Sequence, residues 1–249
     1  MVKRLEKKVI LIIGATGTIG QEILKVVSDE GAYVAFTGQN IDQLKEIAGN
    51  IEGVCFYQQV DVKKQVEIFR AVKATIEHFG KIDGLVYVAG VGYPKLACDC
   101  SEESWDEHFD INVKGAFLFS KEVYSIMANQ NKGSIIFVSS IFSKVVGGGL
   151  SAYSASKGAL RQLAKSLAFE WAGNGIRVNC IAPGYIITEV NKIGMTENSK
   201  MLDFILDRTP LGKLCEPIDV ANSTIFLLSN ESKHITGQDI FVDGGWTIV

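Results

Sequence analysis

The stretch VILIIGATGTIGQEILKVV, Val9–Val27, restricts what this chain can become more than any other. Five apolar residues, Val9 to Ile13, run straight into three evenly spaced glycines, Gly14, Gly17 and Gly20. An apolar run without polar alternation reads as a strand covered on both faces. Ile19, Ile23, Leu24 and Val27 then recur at helical spacing, which predicts a helix over 19–30. A bare turn between strand and helix leaves unpaired N–H groups and the positive end of a helix dipole facing outward, the chemistry of a phosphate site. Gly14 permits the tight turn, Gly17 lets a pyrophosphate approach the backbone, and Gly20 lets helix and sheet pack closely. Plain turns carry glycines too, so the pattern alone does not decide. No Gly-Lys-Ser/Thr follows, which argues against a nucleoside-triphosphatase loop.

The alternation continues along the chain. Strand-like segments are YVAFT (33–37), VCFYQQV (54–60), IDGLVYVAG (82–90), GSIIFVSS (133–140), IRVNCIAPG (176–184) and DIFVDGG (239–245). Between them lie helical patterns at 42–48, 63–80, 111–128, Ser151–Trp171, 199–206 and 217–229. Strand and helix in turn predict an α/β fold, a parallel sheet with helices on both faces. No repeat or linker interrupts the order, so one domain over 1–249 is expected.

The bulk numbers exclude several functions. A formal net charge of −3 suggests neither a nucleic-acid nor an anionic-membrane partner. The apolar run after the basic start MVKRLEKK is too short for a signal peptide or a membrane span, so a cytoplasmic protein is expected. Cysteines 55, 98, 100, 180 and 215 form no C-x-x-C pair and histidines 78, 108 and 234 are scattered, so no metal site is expected.

A second constellation carries chemistry. YSASK places Tyr153 and Lys157 four apart on one helix, hence on one face. FVSS ends the preceding strand, with Ser140 thirteen residues before Tyr153, and NVKG puts Asn112 on the helix before that strand. Ligands of such sheets bind at the carboxyl ends of the strands. A phenol ionises near pH ~10, and a nearby ammonium would lower that value. Such a tyrosine could exchange a proton with an alcohol or carbonyl, Ser140 could hydrogen-bond the same oxygen, and a cofactor would carry the hydride. Ser139 is a rival to Ser140, but strand alternation turns the two to opposite faces. Leu160, Leu163 and Leu167 read as core, and Arg161 and Lys165 as exposed or subunit-contact residues.

From Leu5 to Trp246 the chain resembles the short-chain dehydrogenase/reductase family, in its compact one-domain, doubly wound Rossmann-like branch. The resemblance implies that Ser140, Tyr153 and Lys157 are catalytic, with Asn112 completing a proton relay. It implies an NAD(P)(H) site around Gly14, Thr16, Gly17, Thr18 and Ile19, with Asp61 and Val62 at the adenine. Ala89 and Gly90 would pass close to the cofactor, and Pro183, Gly184, Ile186 and Thr188 would lie on the nicotinamide side, Thr188 holding the carboxamide. Thr188 could instead cap a helix, and Asp61 could be a turn residue. It also implies a lid over 185–209 and a homotetramer built on the long helices.

The chain departs from the family pattern in two places. Ile13 stands for the family's Thr and Thr18 for its middle Gly, with Thr18 offering a hydroxyl to the phosphate site. The family's Asn-Asn-Ala-Gly is here YVAG, Tyr87 to Gly90, which predicts a turn less well steadied by amide hydrogen bonds.

After the second strand, Gly38 brings no acid to hold ribose hydroxyls or repel a 2′-phosphate, and Gln39 and Asn40 offer only neutral donors. Both cofactors should be tolerated, with a lean to NADP(H). The expected function is oxidoreduction between a secondary alcohol and a ketone on a sugar, polyol or other small hydroxy compound. The alternatives are reduction of a 3-oxoacyl group on acyl carrier protein, which a basic patch beside the entrance would favour although the sequence alone does not place Lys144, Lys192 or Arg161 on one, and a cofactor-sensing regulator without turnover.

Overall fold

The computed structural model describes residues 3–189, 191–192 and 199–249. Strands and helices alternate as β1 (Val9–Ile13), α1 (Thr18–Asp29), β2 (Tyr33–Gly38), α2 (Ile41–Gly49), β3 (Cys55–Gln59), α3 (Gln65–Phe79) and β4 (Gly84–Tyr87). Then follow α4 (Glu102–Phe109), α5 (Gly115–Gln130), β5 (Gly133–Val138), α6 (Ser151–Trp171), β6 (Ile176–Pro183), α7 (Ser199–Asp207), α8 (Pro217–Leu228) and β7 (Asp239–Val242). The strands form one seven-stranded sheet in the order β3-β2-β1-β4-β5-β6-β7, every pairing parallel.

The apolar runs explain themselves through two cores. Leu11, Ile13, Leu85, Tyr87, Ile135, Phe137, Val178 and Cys180 face α3, α5 and α6. Their strand neighbours Ile10, Ile12, Val86, Ile136, Val138 and Ile181 face α1 and α8. Successive side chains point to opposite faces, and both faces are covered, so the central strands are mostly apolar along their length. The edge strands β3 and β7 are mostly half-buried, in keeping with one open side.

Strand order reverses between β1 and β4, which opens a crevice at their carboxyl ends. Gly14, at φ +86°, turns the chain there, and a Cβ on it would lie 2.6 Å from the Ala89 nitrogen. The residue that differs most from the sequence reading is Asn112. It sits in a π turn, Asp110–Lys114, between α4 and α5 rather than in a regular helix.

Candidate active site

The turn after β1 has the features a phosphate needs. Gly17 is the N-cap of α1, no side chain caps the helix, and its first turn holds no acid. The leading N–H groups of α1 are therefore left for an anion. Gly20 has no room for a Cβ, which would overlap the Gly14 carbonyl oxygen, whereas a Cβ on Gly17 would meet only that oxygen at 4.0 Å. Gly20 is thus fixed by packing and Gly17 borders open space. Thr16, Thr18 and Ile19 are half-buried around it, and the Thr18 hydroxyl accepts the Glu189 N–H at 3.4 Å. The buried Thr37 hydroxyl, at the end of the neighbouring strand, has no partner among the described residues. These features fit a dinucleotide.

The second half of the site lies at the ends of β4 and β5. Tyr153 and Ser140 share a side-chain hydrogen bond, and Ser140 Oγ also accepts the Phe142 N–H at 3.2 Å. Lys157 is buried, its Nζ donates to the Val138 carbonyl at 2.9 Å, and it lies 5.7 Å from the centre of the Tyr153 ring. Burial pulls the Lys157 ammonium down to about 8. Burial pushes the Tyr153 phenol up, and the Ser140 bond opposes that. The sequence expectation of a lowered phenol is thus corrected: in the protein alone, desolvation outweighs the Ser140 hydrogen bond. Asn112 Oδ1 accepts the Val91 N–H at 2.8 Å, and Nδ2 donates to the Val91 carbonyl and to Ser156 Oγ. Gly90 lies between the two: a Cβ there would sit 3.1 Å from Asn112 Oδ1 and 3.2 Å from Lys157 Nζ.

Residues 14–247 match the family model described as enoyl-(acyl carrier protein) reductase. The chain is 37% identical to the 3-oxoacyl-(acyl-carrier-protein) reductase of Thermotoga maritima over 98% of its own length and 100% of that protein's. The chain belongs to the short-chain dehydrogenase/reductase family. This short-chain dehydrogenase/reductase is an NAD(P)-dependent enzyme. It is also 34% identical to the 2-dehydro-3-deoxy-D-gluconate 5-dehydrogenase of Pseudoalteromonas atlantica, covering 97% of this chain and 96% of that protein. A solved structure titled as a putative NAD(P)-dependent gluconate 5-dehydrogenase from Beutenbergia cavernae, with bound NADP, superposes with a TM-score of 0.94 at 29% identity, covering 100% of both chains.

The remaining positions named from the sequence of this dehydrogenase/reductase divide. Gly38 is buried and Gln39 exposed at the end of β2. Asn40 is only half available, because its Oδ1 caps α2 by accepting the N–H groups of Asp42 and Gln43. Asp61 Oδ1 accepts the Lys63 N–H and Lys64 lies 3.8 Å away, which is the turn reading, while Val62 is buried beneath. Pro183 ends β6 and Ile186 is buried, while Gly184 is held by its N–H to the Val242 carbonyl. Thr188 is half-buried; its carbonyl accepts the Asn191 and Lys192 N–H groups and so starts a helical turn. Of the span 185–209, residues 190 and 193–198 lie outside the described residues. Arg161 is not a free surface cation: it pairs with the buried carboxylate of Asp239 on β7.

The turn after β4 has other hydrogen bonds in place of the missing amides. The Ile13 carbonyl accepts both the Val88 and Ala89 N–H groups at 2.9 Å, and Asn112 clamps Val91 from both sides. His108 completes the clamp. It accepts the Tyr93 N–H at Nε2 and shares a 2.6 Å bond with the Ser104 carbonyl at Nδ1, which assigns the proton to Nδ1. Its ring stands 6.5 Å from that of Tyr153. The sequence carried a signal for this, since His108 and Asn112 are four apart. Phe142 stands edge-on to Tyr153 and, with Tyr185 and Trp246, walls the far side. A cavity of about 520 Å³ runs beside this wall between Phe142, Val145, Leu150 and Ser154, adjacent to Tyr153 but not lined by it. Among the described residues, no group of three or more His, Cys, Asp or Glu is placed to hold a metal, and no helix is long and apolar enough to cross a membrane.

Proposed function

We propose that this enzyme interconverts a secondary alcohol and a ketone on a small hydroxy compound, with Tyr153 as the acid/base. One observation carries the reading: the Tyr153–Ser140 hydroxyl pair stands with the Lys157 ammonium beneath it at the carboxyl ends of adjacent strands. Gly14, Thr16, Gly17, Thr18 and Ile19 would hold the pyrophosphate half of NAD(P)(H), and Ala89, Gly90 and Thr188 the nicotinamide half. When bound, the nicotinamide supplies or accepts the hydride. The chain's own residues handle the proton. Ser140 holds the substrate oxygen. Tyr153 gives that oxygen a proton in reduction and takes it back in oxidation. Its raised pKa keeps it protonated at neutral pH, the form that reduction needs. Lys157 places a positive charge against the phenolate, and Asn112 anchors the strand-end loop beside Lys157.

The relative named for a deoxy-gluconate supports a small polyhydroxylated substrate. The relative named for a 3-oxoacyl-carrier substrate supports the second reading, a carrier-tethered ketone. Arg161, a cation that the sequence alone could not place on a docking patch, is engaged by Asp239, which offers no support to that second reading. By resemblance we further infer a lid over 185–209, a cytoplasmic location and a homotetramer. Phe117 on α5 and Phe169 on α6, exposed by 40% and 88%, are apolar groups that such an assembly would cover. Sedimentation showing a concentration-independent monomer would count against the tetramer.

The deciding experiment screens polyols, sugar acids, cyclic alcohols and a 3-oxoacyl thioester with both cofactors, following absorbance of the reduced nicotinamide. Tyr153→Phe is measured in parallel. It should lower turnover at least ~10²-fold while cofactor binding survives. Near-native turnover by Tyr153→Phe would falsify the mechanism.

A further inference from the structure

The π turn between α4 and α5 changes which carbonyls are satisfied. The Gly115 N–H reaches back five residues, to the Asp110 carbonyl, instead of four, to Ile111. The Ile111 carbonyl does not receive the Gly115 N–H that a regular helix would give it, and Ile111 is only 7% exposed. A buried carbonyl without a partner is costly. A donor comes from another element: the Tyr87 hydroxyl, at the end of β4, donates to the Ile111 carbonyl at 2.6 Å. The path is open because residue 115 is glycine. A Cβ there would overlap the Tyr87 hydroxyl and stand 3.2 Å from Val62 Cβ. Tyr87 itself is fully buried, and burial holds its phenol far above the ordinary range, so it stays a donor across the working pH range.

The residue after Ile111 is Asn112, whose side chain reads both backbone groups of Val91 and lies beside Gly90 and Lys157. Three residues beyond Tyr87 in the other direction is Gly90 itself. The one hydroxyl therefore ties the end of β4, the loop beside Lys157 and the turn that presents Asn112 into a single unit. We propose that Tyr87 is a positioning residue for the reaction, fixing the π turn that carries Asn112; this rests on the acid/base reading above. It assigns a role to the position where the chain departs from the family's amide pair.

The test uses the intact enzyme and the best substrate of the alcohol and ketone screen. Tyr87→Phe keeps the ring in the core and removes one hydroxyl. Expected are a ~3–10-fold fall in kcat, KM within about twofold, and unchanged cofactor binding by NADPH fluorescence. A second arm separates positioning from plain stability. If Tyr87 acts through Asn112, then Tyr87→Phe should cost nothing further in kcat when added to Asn112→Ala. Full additivity of the two, or unchanged kcat in Tyr87→Phe, overturns the inference. Tyr153→Phe run alongside tells the two levels apart. Its loss of turnover with Tyr87→Phe unaffected sinks the positioning role alone. Its retention of turnover, or a screen without any substrate, sinks the acid/base reading and this inference with it.

Discussion

At the end of β2, Gly38 is packed so closely on Thr16 that a Cβ there would lie 2.5 Å from the threonine methyl. This bears on how cofactor choice can be altered. Gly38→Asp would bring the ribose-binding acid, but only after Thr16 turns aside. Gly38→Asp should therefore lower Tm, and Thr16→Ala in the same chain should restore most of the loss. Gln39 is exposed and free of that constraint. Gln39→Arg should shift the NADP/NAD ratio of kcat/KM upward by roughly tenfold or more, the scale of a charge-assisted hydrogen bond of about 1.5–3 kcal/mol. If neither substitution moves the ratio, these residues do not face the adenosine ribose.

The glycines of the first turn should separate under substitution. Gly17→Ala meets nothing closer than 4.0 Å and should fold with near-native Tm while cofactor affinity falls at least tenfold. Gly14→Ala is strained at φ +86° and collides with Ala89, so it should fold poorly. Calorimetry with NADPH reads the first effect and thermal melting the second. Equal binding by Gly17→Ala would remove the phosphates from this turn.

Lys157 should leave a mark on stability as a function of pH. Its ammonium is pulled from its usual 10.5 to about 8 by burial. The unfolded chain then binds this proton more tightly, so stability rises with pH through the window from about 8 to 10.5. Below that window the buried charge costs on the order of 3 kcal/mol. Lys157→Met lacks the cost. Its stability relative to the parent should be greatest near pH 7 and should decline by pH 9.5–10, read from urea midpoints. A pH-independent difference would mean that the lysine is neutral or solvated in the folded protein.

The Arg161–Asp239 pair joins α6 to the edge strand β7, with the carboxylate 6% and the guanidinium 31% exposed. Arg161→Leu strands a buried carboxylate and should cost roughly 1–3 kcal/mol, less than a fully buried pair because the arginine keeps contact with water. Asp239→Leu added to it should recover much of the loss. Two additive penalties in chemical denaturation would show that the charges act independently.

Much of the arrangement was legible because it follows from periodicity. Val9–Ile13 can only be a strand between two apolar layers, and Tyr153 and Lys157 share a face because a helix repeats every 3.6 residues. The rest depends on contacts between distant segments. Nothing near Tyr87 in the sequence announces Ile111 as its partner, nor Asp239 as that of Arg161. The phenol of Tyr153 was misjudged for a related reason. Spacing gives the neighbouring charge, but only the folded protein gives the desolvation.

The sheet order has one more consequence, for how the chain is made. β1 pairs with β2 on one side but with β4 on the other, so its second edge stays bare until Gly84–Tyr87 has left the ribosome. The free edge of β4 then waits for Gly133–Val138, that of β5 for Ile176–Pro183, and that of β6 for Asp239–Val242. Every nascent intermediate thus presents an apolar strand edge to its neighbours on the polysome, the kind of surface that invites intermolecular pairing. A growing chain of this order carries an unpaired strand edge at each stage of translation, so anything that shields nascent strands acts on it before the finished fold exists.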